Sequence, residues 1–271
     1  MPAFTDTLWV RVVVALVAGG AFAAGTYRVR VLSRSGAVAG GGLAASLVAA
    51  GTLTWIAPAV TFFVLSSALS KVGRAAKAQA RTHEAKGDVR DAAQVLANGG
   101  VAWGCLLLAF IAPGPAWYAA YVGAWAAAAA DTWATELGTW LGGTPRSVLT
   151  GARLTPGASG GVTGVGTRAS VAGAASVGLA AWATAPASHE GGALVAGVVL
   201  AGGLGALADS VLGATVQARY RDRLTDTLTE CADAGPLVQG WSWVNNETVN
   251  AACTLVGAIG GYIFYLLLAR L

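Results

Sequence analysis

Eight long apolar runs, at approximately residues 8–27, 37–54, 55–71, 94–112, 116–138, 169–186, 192–216 and 248–269, leave this chain few ways to fold. A bilayer core of roughly 30 Å takes about 20 apolar residues in a helix. The runs therefore predict an all-α, polytopic transmembrane helix bundle of about eight spans, with a single membrane domain over 1–271. Composition agrees, since 11% of residues are charged, against about 25% in soluble domains. The 38 glycines suit such a bundle, because small residues let membrane helices approach closely. The second and third runs are the hardest to part. Only Gly51-Thr52-Leu53-Thr54-Trp55 and Pro58 interrupt residues 37–71, which are too many for one crossing.

Charge fixes the direction of travel. Arg28, Arg30 and Arg34 occupy the first loop, and Lys71, Arg74, Lys77, Arg81, Lys86 and Arg90 the third. Arg146, Arg153 and Arg168 fall in the fifth, and Arg219, Arg221 and Arg223 in the seventh. Of the 17 Lys and Arg residues only Arg11 and Arg270 lie elsewhere, and the even loops have none. Cytoplasmic loops are the ones enriched in Lys and Arg. The odd loops are thus expected in the cytoplasm and both termini outside, in a multi-pass protein of a prokaryotic cell membrane. The net charge of +4 is then a matter of topology and calls for no nucleic acid. Tryptophans agree: Trp9, Trp55, Trp117 and Trp182 fall near outer ends, and Trp140, Trp241 and Trp243 near inner ones.

Several motifs carry no chemistry. Ala21-Phe22-Ala23 resembles a signal cleavage site, but the leader holds Asp6 and no basic cluster, so the first run reads as a retained span. Cys105, Cys231 and Cys253 are odd in number, lack metal-ligand spacing and read as small apolar fillers. His83 and His189 lie in polar loops on opposite faces and receive no role.

Ionisable residues inside spans are expensive and are therefore site candidates. Asp131 and Glu136 sit near the inner end of span five, and Asp209 near the inner end of span seven. Three carboxylates beside Thr and Ser hydroxyls suit a hard cation that also holds phosphate oxygens; polar glue between helices accounts for the same residues. Lys71, Arg74 and Lys77 would share a broad face if span three continued as a helix. They read either as topology determinants or as neutralisers of a polyphosphate. Asn98 opens span four, where an amide needs a partner.

Residues 155–167 read Thr-Pro-Gly-Ala-Ser-Gly-Gly-Val-Thr-Gly-Val-Gly-Thr, immediately before span six. Successive backbone N–H groups there can form an anion nest ahead of a helix N-terminus, with hydroxyls at Ser159, Thr163 and Thr167; a flexible linker is the plainer reading. Thr167-Arg168 stands where a Walker A motif needs Lys-Ser/Thr, so the loop is not one. Asn246, Glu247 and Asn250 fall where span eight begins, with Asn246 also readable as an N-cap. Ala130-Asp131-Thr132 and Ala208-Asp209-Ser210 form a faint repeat in spans of one orientation.

Taken in order, these segments resemble a widespread integral membrane family. They are Ser66-Ser67-Ala68-Leu69-Ser70-Lys71-Val72-Gly73, Gln94-Val95-Leu96-Ala97-Asn98-Gly99-Gly100 and Ala130-Asp131-Thr132-Trp133-Ala134-Thr135-Glu136-Leu137-Gly138, followed by Pro156-Gly157-Ala158-Ser159-Gly160-Gly161-Val162-Thr163, Asp209-Ser210-Val211-Leu212-Gly213-Ala214 and Asn246-Glu247-Thr248-Val249-Asn250. The family is that of the plant plastid phytyl-phosphate kinase and its bacterial, archaeal and animal relatives. The resemblance runs from about residue 60 to 255. It implies an isoprenyl monophosphate kinase that takes the γ-phosphoryl group of CTP or another nucleoside triphosphate such as ATP. It further implies Lys71, Asn98, Asp131, Glu136, Ser159, Gly160, Gly161, Thr163, Asp209, Asn246 and Asn250 as site residues. In that reading Asp131, Glu136 and Asp209 hold Mg²⁺, while Lys71, Arg74, Lys77 and the glycine loop clamp phosphates. The implied partners are an isoprenyl-phosphate lipid, a nucleoside triphosphate and the surrounding membrane lipids. A lipid nucleotidyltransferase making a CDP-activated lipid would use the same acids and basic loop; a transporter would need polar groups along the outer halves of the spans.

Overall fold

A computed structural model describes residues 8–81, 86–87, 89–185 and 191–268, with backbone alone for 79–81. His83 and His189 lie outside the described residues. The long helices are α1 (Leu8–Arg28), α2 (Arg34–Ala49), α3 (Leu53–Lys71), α5 (Ala92–Ile111), α6 (Pro115–Leu141), α7 (Gly164–Thr184), α8 (Gly191–Thr215) and α9 (Asn246–Leu268), with a short α4 (Arg74–Arg81) after α3. Each expected span meets one long helix, and the doubtful pair is resolved by a turn at 50–52 between α2 and α3.

Five of these helices, α1, α3, α5, α8 and α9, are long and apolar enough to cross a membrane by themselves. The expected count of eight thus goes beyond what apolarity alone carries. At 16 residues α2 is short for a crossing, while α7 is diluted by Gly, Ser, Thr and Arg168. The remaining helix, α6, carries two acids and is sheathed by protein. Apolar side chains such as Trp9, Val38, Ile111, Trp182 and Leu200 stand exposed on the outside of the bundle, a surface suited to hydrocarbon rather than water.

Every residue from Tyr118 to Ala130 of α6 is buried, and α3, α5, α7, α8 and α9 pack around it. Apolar burial does little to join helices in lipid, so association depends on close van der Waals fit. The fit comes from small residues. A Cβ added to Gly257 of α9 would sit 2.5 Å from the Gly123 carbonyl oxygen of α6, and one on Gly205 of α8 would lie 2.6 Å from the Ala127 Cβ.

One end of the bundle is closed by aromatics. The Tyr118 hydroxyl donates to the carbonyls of Thr54 (3.2 Å) and Ala181 (3.3 Å), and the Tyr121 hydroxyl to that of Trp55. Thr54 Oγ1 donates to the Thr184 carbonyl at 2.7 Å. Trp55 meets both tyrosine rings edge-on, at centroid distances of 5.1 and 4.9 Å.

The opposite end departs from an all-α plan. Here β1 (Arg146–Ser147) pairs antiparallel with β2 (Gly161–Val162), and a three-stranded antiparallel sheet runs in the order β4 (Leu228–Thr229), β3 (Arg219–Arg221), β5 (Leu237–Gln239). Both sheets cap the helix ends that carry the candidate residues. Their loops were legible only as polar connections, because strands of two or three residues show no measurable periodicity.

The tight fit around α6 yields a direct test. Gly257→Val should lower stability by about 1–3 kcal/mol through overpacking, whereas Gly104→Ala, whose Cβ meets open space, should not lower it. Thermal unfolding of the two variants in detergent compares the costs.

Candidate functional site

A cavity of about 650 Å³ opens at the sheet-capped end. Its walls come from the C-terminal ends of α3, α6 and α8 and the N-terminal ends of α5, α7 and α9. That alternation of ends is what a bundle of up-and-down helices produces, and it gathers polar residues far apart in sequence at one level. Lys77, Asn98, Asp131, Glu136, Ser159, Gly160, Gly161, Thr163, Asp209, Asn246 and Asn250 all face it.

Lys71 and Arg74 do not line the cavity. The expectation that they share a face with Lys77 fails because α3 stops at Lys71. Val72 is extended and Gly73 takes φ +66°, a region that favours glycine. A Cβ at Gly73 would also lie 2.8 Å from the Trp140 ring. The chain turns on this point, and α4 carries Lys77 inward. The Lys77 ammonium donates to the Leu69 carbonyl (3.0 Å) and pairs with Glu136, with side-chain exposures of 2% and 13%.

The three expected metal ligands are therefore divided. Glu136 is engaged by Lys77, whereas Asp131 and Asp209, from the two arms of the faint repeat, approach within interaction range of one another. Asp209 Oδ2 is buried and has no hydrogen-bond partner among the described residues. No group of three or more His, Cys, Asp or Glu could hold a metal ion among the described residues. Magnesium nevertheless commonly takes only one or two carboxylates and completes its shell with water and substrate phosphates. An all-oxygen pair with one buried, unsatisfied oxygen fits that ion.

The glycine loop is built rather than slack. Gly160, at φ +77°, passes so close to α8 that a Cβ would lie 2.5 Å from Ala214 Cβ, and its carbonyl accepts from Val148 N at 3.0 Å. Gly161 N donates to the Ala158 carbonyl (3.1 Å), so this N–H is already used within the loop. Thr163 caps α7, its hydroxyl accepting from Gly166 N at 2.9 Å. Asn98 Nδ2 donates to the Gln94 carbonyl one turn back (3.0 Å), which supplies the partner its amide needed. Asn245, not Asn246, caps α9, with Oδ1 accepting from Thr248 N at 3.0 Å. Asn246 is left facing the cavity.

Several residues escape a sequence reading. Glu230 follows β4 and accepts from Ser159 Oγ (3.1 Å) and Gln217 Nε2 (2.8 Å). The Arg219 guanidinium donates to the Ser159 carbonyl at 3.1 Å. Burial pushes the Glu230 carboxyl above its ordinary value, against the Ser159 hydrogen bond, the Arg219 charge and the Gln217 hydrogen bond. Its charge also reaches Asp209. Lys86, at the cavity rim, pairs with Asp91 (2.8 Å) and Glu247 (2.7 Å). Nothing in the segment around Glu230 marks it beforehand, since it belongs neither to a span nor to a basic cluster.

Comparison with known proteins covers the segment that holds these residues. A profile of the family described as integral membrane protein DUF92 matches residues 17–258. Protein PGR of Arabidopsis thaliana is 29% identical over 229 residues, covering 76% of this chain and 79% of that protein. An uncharacterized membrane protein of Methanocaldococcus jannaschii is 31% identical over 210 residues, covering 76% of this chain and 74% of its own. No solved structure matches the chain significantly.

Two expectations follow from these contacts. Lys77→Met should cost about 3–5 kcal/mol by removing a buried cation from Glu136, and adding Glu136→Leu should restore much of it; thermal unfolding of the single and double variants measures the coupling. Because its folded value is raised, ionised Glu230 opposes folding. Stability should therefore fall as pH climbs above the ordinary value of 4.5. Glu230→Gln should accordingly unfold at the same temperature as wild type below that pH and at a higher one near neutrality.

Proposed function

The chain belongs to the DUF92 family of integral membrane proteins, and from that premise we propose that it phosphorylates an isoprenyl monophosphate to the diphosphate, using the γ-phosphoryl group of CTP or ATP. The observation that carries this reading is the Asp131–Asp209 pair, with its unsatisfied Oδ2, in a cavity rimmed by basic residues at one end of an apolar bundle. A phosphorylated lipid and a soluble nucleotide can meet only at such an interface. The resemblance to the phytyl-phosphate kinase family supplies the acceptor class.

In this scheme an oxygen of the lipid monophosphate attacks the γ-phosphorus. The bond from that phosphorus to the oxygen bridging the β-phosphate breaks, and the nucleoside diphosphate leaves. A phosphate oxygen is already nucleophilic at neutral pH, so positioning and charge neutralisation do most of the work. Asp131 and Asp209 would hold Mg²⁺, which would offset the negative charge of the phosphates. Lys86 and Arg90 line the cavity and are suited to attract the phosphates, while Lys77, buried against Glu136, forms part of the wall behind them. The hydroxyls of Ser159 and Thr163 and the amides of Asn98 and Asn250 face the same space and can orient them. The basic odd loops favour a cytoplasmic position for this end of the bundle, where the nucleotide is.

The aromatic closure at the far end weighs against a transport path, since the polar lining stops well short of it. Purified protein given γ-labelled CTP or ATP and a long-chain isoprenyl monophosphate should form labelled diphosphate only with Mg²⁺, and the free alcohol should be a poor acceptor. Asp209→Asn should lower kcat/KM by at least about a hundredfold, since even outer-shell partners of a metal can cost that much, while the variant still folds. Label from the α-phosphate entering the lipid would instead establish the nucleotidyltransferase.

A further inference from the structure

We propose that the cleft between α7 and α8 is a lateral portal through which the apolar chain of the phosphorylated lipid lies, with Gly203 and Leu207 determining which chains fit. This inference rests on the acceptor class proposed above and adds where its hydrocarbon goes.

The two helices touch over the halves remote from the site. A Cβ on Gly202 would be 2.7 Å from that of Ala174, and one on Gly178 would be 3.5 Å from Val198 Cγ1. Nearer the site they part. The cavity that holds Asp131 and Asp209 extends between them, walled by Ser170 of α7 and by Gly203, Ala206 and Leu207 of α8. Leu207 lines that cavity, is 49% exposed and lies on the same stripe of α8 as the exposed Leu200 and Leu204, so the cavity adjoins the outer face of the bundle here. Its rim is apolar, with Leu204 and Val171 likewise exposed.

Gly203 differs from its helical neighbours. A Cβ at Gly202 or Gly205 would collide with α6 or α7, whereas one at Gly203 meets nothing within 4 Å. Helix packing therefore does not call for this glycine, although in mid-helix it costs roughly 0.5–1 kcal/mol relative to Ala. What it does is leave the cavity wall bare. Gly203 precedes Asp209 by six residues, a rise of about 9 Å along the helix. The portal thus runs from the carboxylate pair into the depth of the hydrocarbon, and its walls offer an entrant little but CH groups. Soluble phosphates have no use for such a wall. The occupant is an apolar chain whose headgroup stays with Asp131, Asp209 and the basic rim.

The test is photolabelling of the intact protein in bilayers by a long-chain isoprenyl monophosphate carrying a diazirine near its chain end, with the phosphoryl-transfer assay run on the same preparation. Saturable labelling of the peptides containing Ser170 and Leu207, competed by unlabelled monophosphate but not by ordinary phospholipid, is the expected result. Gly203→Phe should reduce that labelling about tenfold and shift preference toward shorter chains. Gly203→Ala, whose methyl enters open space, should fold as wild type and fall between the two. Saturable labelling elsewhere overturns the portal while leaving the acceptor class standing. Labelling here that phospholipid competes equally also overturns it, because the cleft is then general lipid surface. Transfer activity without saturable labelling overturns the portal alone, and absence of both overturns it together with the acceptor class.

Discussion

The architecture hangs on how closely other backbones can approach α6. In lipid there is little to gain from burying one apolar side chain against another, so helices stay together where their shapes allow contact along the backbone. The long buried run of α6 is mostly alanine, and Gly257 and Gly205 meet it with no side chain at all. A helix sheathed in this way contributes little to the lipid-facing surface. It is free to carry acids that a lipid-facing helix could not, and Asp131 and Glu136 are the result.

Charge at the site is handled in two ways. Glu136 and Glu247 each have a lysine at contact distance, and Glu230 is held by a hydroxyl, an amide and a nearby guanidinium. The two lysine pairs help to hold α4 and the rim loop to the helical ends, whereas Glu230 in its ionised form opposes folding. Asp131 and Asp209 face one another instead, and Asp209 keeps an oxygen that nothing among the described residues satisfies. A buried polar atom without a partner costs about 1–3 kcal/mol, a cost that a bound cation would remove. What sets Asp131 and Asp209 apart from the other acids of this cavity is therefore partnership rather than position.

Much of this was readable from the chain. The eight apolar runs correspond to eight long helices, Gly51-Thr52 marks a real turn while Pro58 lies inside α3, and the alternation of basic loops anticipates which helix ends meet. Asp131 and Asp209 were found because an acid in an apolar run is conspicuous. Lys71, Arg74 and Lys77 do not share one face because the helix breaks at Gly73, where the backbone turns against Trp140. Glu230 was invisible for a different reason. Its burial depends on a small sheet whose strands are too short to leave a pattern, and its partners Ser159 and Gln217 come from other segments. Covalent sequence records the cost of placing charge in apolar runs; it does not record which loops fold back over them.

The tyrosine bonds at the far end have a mechanical meaning. Tyr118 ties α6 to both α3 and α7, and Tyr121 adds a second tie to α3. Rods clamped together at one end and separated by a hollow at the other behave as the tines of a fork. Small tilts about the clamped base become their largest displacements at the tips, where the carboxylates and the glycine loop are mounted. The sealed end is then a fulcrum, and the open end the place where any tilt of the rods would change the width of the hollow most.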